Sequence, residues 1–583
     1  MKSLFSHPRA FLLVISLPVL LACQPSPEKS AEHKQTRASV SFNWFEYQGN
    51  DEVFTQPLAE GEYQNPIVSG FYPDPSITRR GDDYYMVHSS FSYTPGVPIL
   101  HSRDLVNWQL VGHVLTQPGQ FKFDGLGVSR GIFAPTLRYH DGLFYMITTA
   151  VDAGGNFLVT ATDPAGPWSE PLWLPEIGGI DPDIFFDDDG KVYIAHNDGP
   201  DGEPLYEGHR AIRLWEFDLA TKTVMTGEGS GRVIVNGGVN IADKPVWIEG
   251  PHIYKINGWY YLTCAEGGTS VNHSQVVFRT KNLSEPFVPY ANNPILSQRD
   301  LDPARANPVT STGHADFIQT ASGDWWSVFL ATRPYADNFY NTGRETYLLP
   351  ITWQDQWPVI LPTGQEVPYR HVKPNIDVEL TQLITTDALT GNFTWRDEFS
   401  QQDMDPRWNF LRGFERSWLQ VANDKLDMQA SAFDLSSQQQ TSFMGHRQQH
   451  GRFSVRTSLN LPTQQGISGG LTALQNSGFY YYFAVQKQQN NYRLFVQQVN
   501  NGQVSLLADT VINAQAGQEL TLLVNGDKGH VSFAYTLVDG APIDLVVNAD
   551  ATLLSTESAG GFVGAMLGLH VRNEAYSNNR QVD

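Results

Sequence analysis

Four side chains able to carry protons recur at one place in this chain. Asp74 lies in Gly70-Phe-Tyr-Pro-Asp-Pro-Ser76, Asp181 in Gly179-Ile-Asp-Pro-Asp-Ile-Phe185, Glu249 in Trp247-Ile-Glu-Gly-Pro-His-Ile253 and His314 in Thr312-Gly-His-Ala-Asp-Phe317. Each precedes the glycine of a following turn by seven to nine residues. Three carboxylates and a histidine gathered in one place oppose stability, because like charges and desolvation raise one another's pKa. Hydrolysis of a glycosidic bond uses such a set: one carboxyl stays protonated for the leaving oxygen, and another stays ionised to act on water or on the anomeric carbon. Taken singly, the Asp-Pro steps also suit turns, and a lone histidine suits a structural hydrogen bond. The shared phase is what favours chemistry. Asp187, Asp188 and Asp189, like Asp82 and Asp83, read as solvated turn residues.

The elements that must position these groups are repeats. Gly81-Asp-Asp-Tyr-Tyr-Met-Val, Asp141-Gly-Leu-Phe-Tyr-Met-Ile, Asp189-Gly-Lys-Val-Tyr-Ile-Ala, Asn257-Gly-Trp-Tyr-Tyr-Leu-Thr and Ser322-Gly-Asp-Trp-Trp-Ser-Val each pair a turn with an aromatic-rich strand. Their spacing of roughly 50 to 70 residues is that of a four-stranded blade with loops, so five copies predict a five-bladed β-propeller over 61–365. One phase in every blade means one layer around the central channel. The second repeat places Phe133-Ala-Pro135 at that phase, an apolar wall. After a polar linker at 366–389, short alternating runs predict a second all-β domain, a concanavalin-A-like sandwich over 390–583.

A net charge of −22, from 61 acidic and 39 basic residues, argues against nucleic acid and against an anionic membrane surface as partners. It would not repel a neutral sugar. Lys2 and Arg9 precede an apolar run, Phe11 to Leu21, which reads as a signal peptide over 1–22, too short to span a bilayer comfortably. Leu20-Leu-Ala-Cys23 is similar to a bacterial lipobox, making Cys23 the expected lipidation site of an envelope protein exported across the inner membrane. Membrane contact is expected only through that anchor. Residues 23–60 read as a polar tether without sustained period. Cys264, inside an apolar strand pattern, reads as a buried thiol.

The chain resembles glycoside hydrolase family 43, in its group of β-xylosidases and α-L-arabinofuranosidases with a C-terminal sandwich. The resemblance is carried by Asn65-Pro-Ile-Val-Ser-Gly-Phe-Tyr-Pro-Asp-Pro-Ser76, Ser89-Ser-Phe91, Pro95-Gly-Val-Pro98, Glu249-Gly-Pro-His-Ile-Tyr-Lys-Ile-Asn-Gly258, Ala265-Glu-Gly-Gly-Thr269 and Gly343-Arg-Glu-Thr346, and in the second domain by Arg407-Trp-Asn-Phe-Leu-Arg412 and Arg447-Gln-Gln-His450. It implies an inverting exo-acting hydrolase that releases terminal pentose from xylo- or arabinoxylo-oligosaccharides. Asp74 would be general base, Glu249 general acid, and Asp181 the group tuning that acid's pKa and orientation. It further implies a sugar subsite lined by Phe91, Phe133, His314 and Arg344, with Phe133 standing where many relatives have Trp. No cofactor is expected, although propellers of this family leave room for a structural calcium near His314. Three competing readings are a non-catalytic sugar-binding propeller on the cell surface, an invertase-like fructosidase, whose Asn-Asp-Pro-Asn motif is missing, and a surface protein whose sandwich is the working part.

Overall fold

The computed structural model describes residues 38–376, 388–537 and 540–577. Five antiparallel sheets follow one another from Ser76 to Pro350, and their first strands are Ser76–Arg80, Thr136–His140, Ile180–Phe186, Glu249–Ile256 and Thr310–Gln319. The repeated turns of the sequence are the hairpins joining each of these strands to the next. At Asp141-Gly142 and Asn257-Gly258 both turn residues have positive φ, the geometry that matches the twist of a two-residue hairpin. Glycine at the second position removes the steric cost of that conformation.

The ring closes through the N-terminal segment. Val68 and Thr346 exchange backbone hydrogen bonds, and the buried Asn65 side chain both donates to the Leu348 carbonyl and accepts from its N–H. Segment 63–68 therefore edges the fifth sheet, whose own strands are Thr310–Gln319, Trp325–Thr332 and Glu345–Pro350.

The second domain is a sandwich of two eight-stranded sheets, one of which takes its edge strand, Tyr93–Thr94, from the propeller. Phe42, Phe45, Trp408, Tyr481, Phe483 and Phe533 belong to the core between them. In the run Phe479–Lys487 the neighbours alternate: Tyr481 and Phe483 face the sandwich core, whereas Tyr480 and Tyr482 pack with Phe71, Phe91 and Tyr93 of the propeller. The unbroken aromatic run is thus a strand covered on both faces, which the two-residue period of a strand requires.

Ser39–Gly49 departs from the expected tether. It is a strand within the sandwich, paired with Arg452–Asn460, Leu426–Gln429 and Thr394–Asp397. A bulge between Phe42 and Trp44 shifts the register, so that Val40 and Phe42 are buried on one parity and Phe45 and Tyr47 on the other. One inserted residue breaks the alternation by which a strand is recognised. Of the expected linker, Arg370–Val372 pairs with Glu62–Gln64. The expected signal peptide and Cys23 lie outside the described residues.

Candidate active site

Three of the five first strands are irregular where they enter the channel. Register shifts lie between Ile180 and Asp183, between Glu249 and His252, and on both sides of Gly313. Asp74, Asp181 and His314 have φ of 54°, 56° and 52°, and in the fourth blade the left-handed position falls on Gly250, at 55°. Glu249 therefore stands one residue before the phase shared by the other three. A bulge re-aims a side chain, and a left-handed non-glycine residue costs about 1–3 kcal/mol, which surrounding contacts must offset. A Cβ on Gly250 would come within 2.9 Å of the His314 ring, so this close approach requires glycine.

Beneath this layer every blade contributes to a floor, and Ser76, Asp183 and Asp316 stand two residues beyond Asp74, Asp181 and His314. Asp316 accepts from Ser76 Oγ, Arg138 Nη1 and Tyr254 Oη at 2.7, 2.7 and 2.6 Å. Asp183 accepts from Arg138 Nη2 at 2.7 Å and from the Ile253 N–H at 2.9 Å, and His252 Nδ1 lies 3.0 Å from Arg138 Nη2. Burial disfavours the charge on both partners, but the attraction dominates: Arg138 is raised and Asp316 is held below the usual carboxylate range. The oxygens of the buried Asp183 and Asp316 are spent on a guanidinium and on neighbouring N–H and O–H donors. That set does not fit a calcium, which needs six to eight oxygens left free to coordinate it. Among the described residues no group of three or more His, Cys, Asp or Glu could hold a metal ion.

Above the floor lies a cleft of ≈ 510 Å³ that brings together Asp74, Asp181, Glu249, His314, Arg344, Phe91 and Phe133, all seven residues singled out from the sequence. Asp74 accepts from Arg344 Nη1 at 2.7 Å and from Ser89 Oγ at 2.6 Å. Burial opposes its ionisation, but Arg344, His314 and Ser89 outweigh burial and hold the carboxyl below the usual range. His314 Nδ1 stands 3.7 Å from Asp74, and burial pushes the imidazole down to about 4, so at neutral pH it is an uncharged neighbour. Asp181 accepts from the Gly250 N–H at 3.1 Å and is raised by burial and by the charge of Asp74. Glu249 is driven well above its ordinary value by burial, then by Asp181 and Asp74. The N–H donated to Asp181 favours its charged form. It therefore ionises before Glu249 and helps to hold the proton there. One cleft thus presents an ionised carboxylate and a protonated carboxylic acid, the pair that hydrolysis of a glycosidic bond uses.

The aromatic wall has a member that sequence reasoning missed. Phe562, from the sandwich, stacks on Phe91 with ring centroids 6.0 Å apart and meets Phe133 at 5.8 Å. Its backbone N–H donates to Ser129 Oγ of the propeller at 2.9 Å, and Arg344 lies over its ring. The loop is seated by touching glycines: a Cβ on Gly564 would meet the Thr342 carbonyl oxygen at 2.6 Å, and one on Gly343 would meet the Gly564 Cα at 2.8 Å. The only signal in the sequence is the spacing of Gly560-Gly-Phe-Val-Gly564, which does not say what the loop touches. Gly564→Ala should therefore push Phe562 off Arg344 and cost about 1–3 kcal/mol, as overpacking does. Thermal unfolding and KM for an aryl glycoside check this; an unchanged KM would mean that the loop does not shape the sugar site. Arg130, Arg210, Trp247 and Thr269 also line the cleft; Trp247 and Thr269 lie in stretches singled out from the sequence, whereas no motif points to Arg130 or Arg210.

Fold and cleft define a five-bladed propeller hydrolase with a sandwich completing its site, and comparison with known proteins agrees. The description "Glycosyl hydrolases family 43" matches residues 63–358, and "Beta xylosidase C-terminal Concanavalin A-like domain" matches 396–583. The chain belongs to glycoside hydrolase family 43 and is a glycosidase. It is 35% identical to a xylosidase/arabinosidase of Butyrivibrio fibrisolvens over 89% of this chain and 97% of that one. It is 32% identical to a non-reducing end alpha-L-arabinofuranosidase of Bacteroides ovatus, over 90% and 94%. A solved family 43 structure retrieved from a capybara gut metagenome superimposes with a TM-score of 0.85 at 39% identity, covering 92% of this chain and 99% of that one.

Proposed function

We propose that this protein is an inverting exo-glycosidase removing terminal pentose from xylo- or arabinoxylo-oligosaccharides, chiefly as a β-1,4-xylosidase with α-L-arabinofuranosidase activity. The observation that carries this reading is one cleft in which Asp74 is held by Arg344 and Ser89 while Glu249 stands beside Asp181, whose carboxylate accepts from the Gly250 N–H. Ionised Asp74 takes a proton from water as that water attacks the anomeric carbon. Glu249 gives its proton to the departing oxygen. Asp181 holds that proton in place until transfer. Arg344 fixes Asp74. Phe91, Phe133 and Phe562 pack on the apolar face of the ring. Closure of the channel by Arg138, and of one side by the sandwich, supports attack at a chain end rather than mid-chain. Pentose as the sugar rests on the names of both relatives. Rates on an aryl β-xyloside and an aryl α-L-arabinofuranoside test it: turnover of neither, with hydrolysis of a hexoside, would discard it.

We propose no metal requirement, since Arg138 and neighbouring N–H and O–H donors already occupy the oxygens of Asp183 and Asp316. Chelation by EDTA should leave kcat unchanged, and a loss restored by calcium would refute this. We further propose anchoring to the cell envelope through acylated Cys23. Cys23→Ser should move the protein from the membrane to the soluble fraction; an unchanged distribution would count against the anchor.

A further inference from the structure

We propose that the leaving-group side of the cleft binds a sugar bearing a carboxylate, such as a uronic-acid-substituted unit, through the free edge of Arg210. This rests on the reading of Glu249 as proton donor and extends it to the sugar beyond the bond that is cut.

Arg210 lines the cleft together with Trp247 and Glu249. Its Nε and Nη2 donate to Asn197 Oδ1 at 3.1 and 2.8 Å. Asn197 is fully buried, and its amide nitrogen donates to the carbonyl of Ile248, the residue before Glu249. The guanidinium lies 4.8 Å from the Trp247 ring centroid. Arg210 is thus fixed in orientation beside the proton donor, on the leaving-group side of the bond. Asn197 uses the Nε edge of the fork, which leaves the Nη1 and Nη2 edge for a ligand.

The cleft has two other arginines, and both are paired. Arg344 meets Asp74 at 2.7 Å and Arg130 meets Asp152 at 2.6 Å. Among the described residues Arg210 forms no ion pair; its partners are an amide oxygen and an aromatic face. A neutral hydroxyl asks only for a single donor or acceptor, whereas a planar fork with two parallel N–H groups matches a carboxylate. Placing that fork in a protein of net charge −22 gives an anionic leaving group a local counter-charge that the rest of the surface lacks. The simpler role for Arg210 is to temper Glu249, whose rise its charge opposes. That role alone gives no preference for a charged leaving group.

The probes are a pair of aryl pentosides, on whichever pentose the enzyme turns over faster, with leaving phenols carrying either a meta-carboxylate or a meta-carboxamide. The wild type should favour the carboxylate by about fivefold or more in kcat/KM, through KM, as a charge-assisted fork contact gives, and the preference should shrink in high salt. Arg210→Gln should abolish it while the amide is still cleaved. Should that variant be inactive, Arg210→Lys keeps the charge and should retain a preference. Equal wild-type kinetics on the two probes, or a preference that survives Arg210→Gln or ignores salt, would overturn the proposal. Turnover of neither probe by the wild type would instead remove the exo-glycosidase reading on which it stands.

Discussion

Glu249→Gln is expected to lower kcat by about 10²–10⁴-fold on an oligosaccharide, the range of a lost general acid. The loss should be smaller on a nitrophenyl glycoside, whose leaving group departs without a proton. Glutamine keeps the size and hydrogen bonding of the side chain, so the effect isolates the proton. The sign of the pH dependence follows from the cleft. Burial, Asp181 and Asp74 raise Glu249 well above the ordinary carboxyl range. The proton needed for transfer is present below that raised value and is lost as pH rises through it. The wild type should therefore show an alkaline limb, and the variant should lose that limb on the activated substrate. A variant that retained both the rate and the limb would place the acid elsewhere.

Asp74→Asn is expected to reduce kcat by about 10²–10⁴-fold on every substrate, activated or not, because the attacking water loses its base. Here the sign is opposite. Arg344, His314 and Ser89 hold Asp74 below the usual range despite its burial. Ionised Asp74 is present above that lowered value and is lost as pH falls through it, so the wild-type acid limb should lie below the ordinary carboxylate range. Arg344→Met removes the largest of the lowering influences and should carry the acid limb upward. A limb that stayed in place would detach Asp74 from it.

These two substitutions concern residues that are legible in the sequence, and the reason is physical. A propeller repeats its hairpin turn, so Asp141-Gly142 and Asn257-Gly258 mark the register of each blade and locate the layer from which Asp74, Asp181 and His314 project. Glu249 follows nearly the same rule, although it stands one residue earlier because the left-handed position of its bulge is taken by Gly250. What the sequence hides depends on contacts between segments far apart in the chain. Phe562 belongs to the site only because Gly564 and Gly343 let two backbones touch. Ser39–Gly49 belongs to the sandwich although its alternation is broken by a single bulge. Arg138 looks like any strand arginine until Asp183 and Asp316 are brought to either side of it. Charge partners across a channel leave no local pattern in the chain.

The same geometry holds the two domains against each other. Arg412 Nε donates to the Leu126 carbonyl of the propeller, and Arg447 Nε donates to that of Phe71. Both are buried sandwich arginines, and Phe71 lies directly beside Phe91 in the aromatic wall. The stretches that carry the resemblance into the second domain are thus parts of the interface that shapes the cleft.

In the proposed mechanism Asp74 and Glu249 act on opposite sides of the sugar in a single displacement. This is tested most directly by following, by proton NMR, the anomer released in the first moments of hydrolysis of an aryl pentoside, before mutarotation. First-formed sugar of inverted configuration is expected. Release of the anomer with the substrate's own configuration would mean a covalent intermediate and would contradict the mechanism.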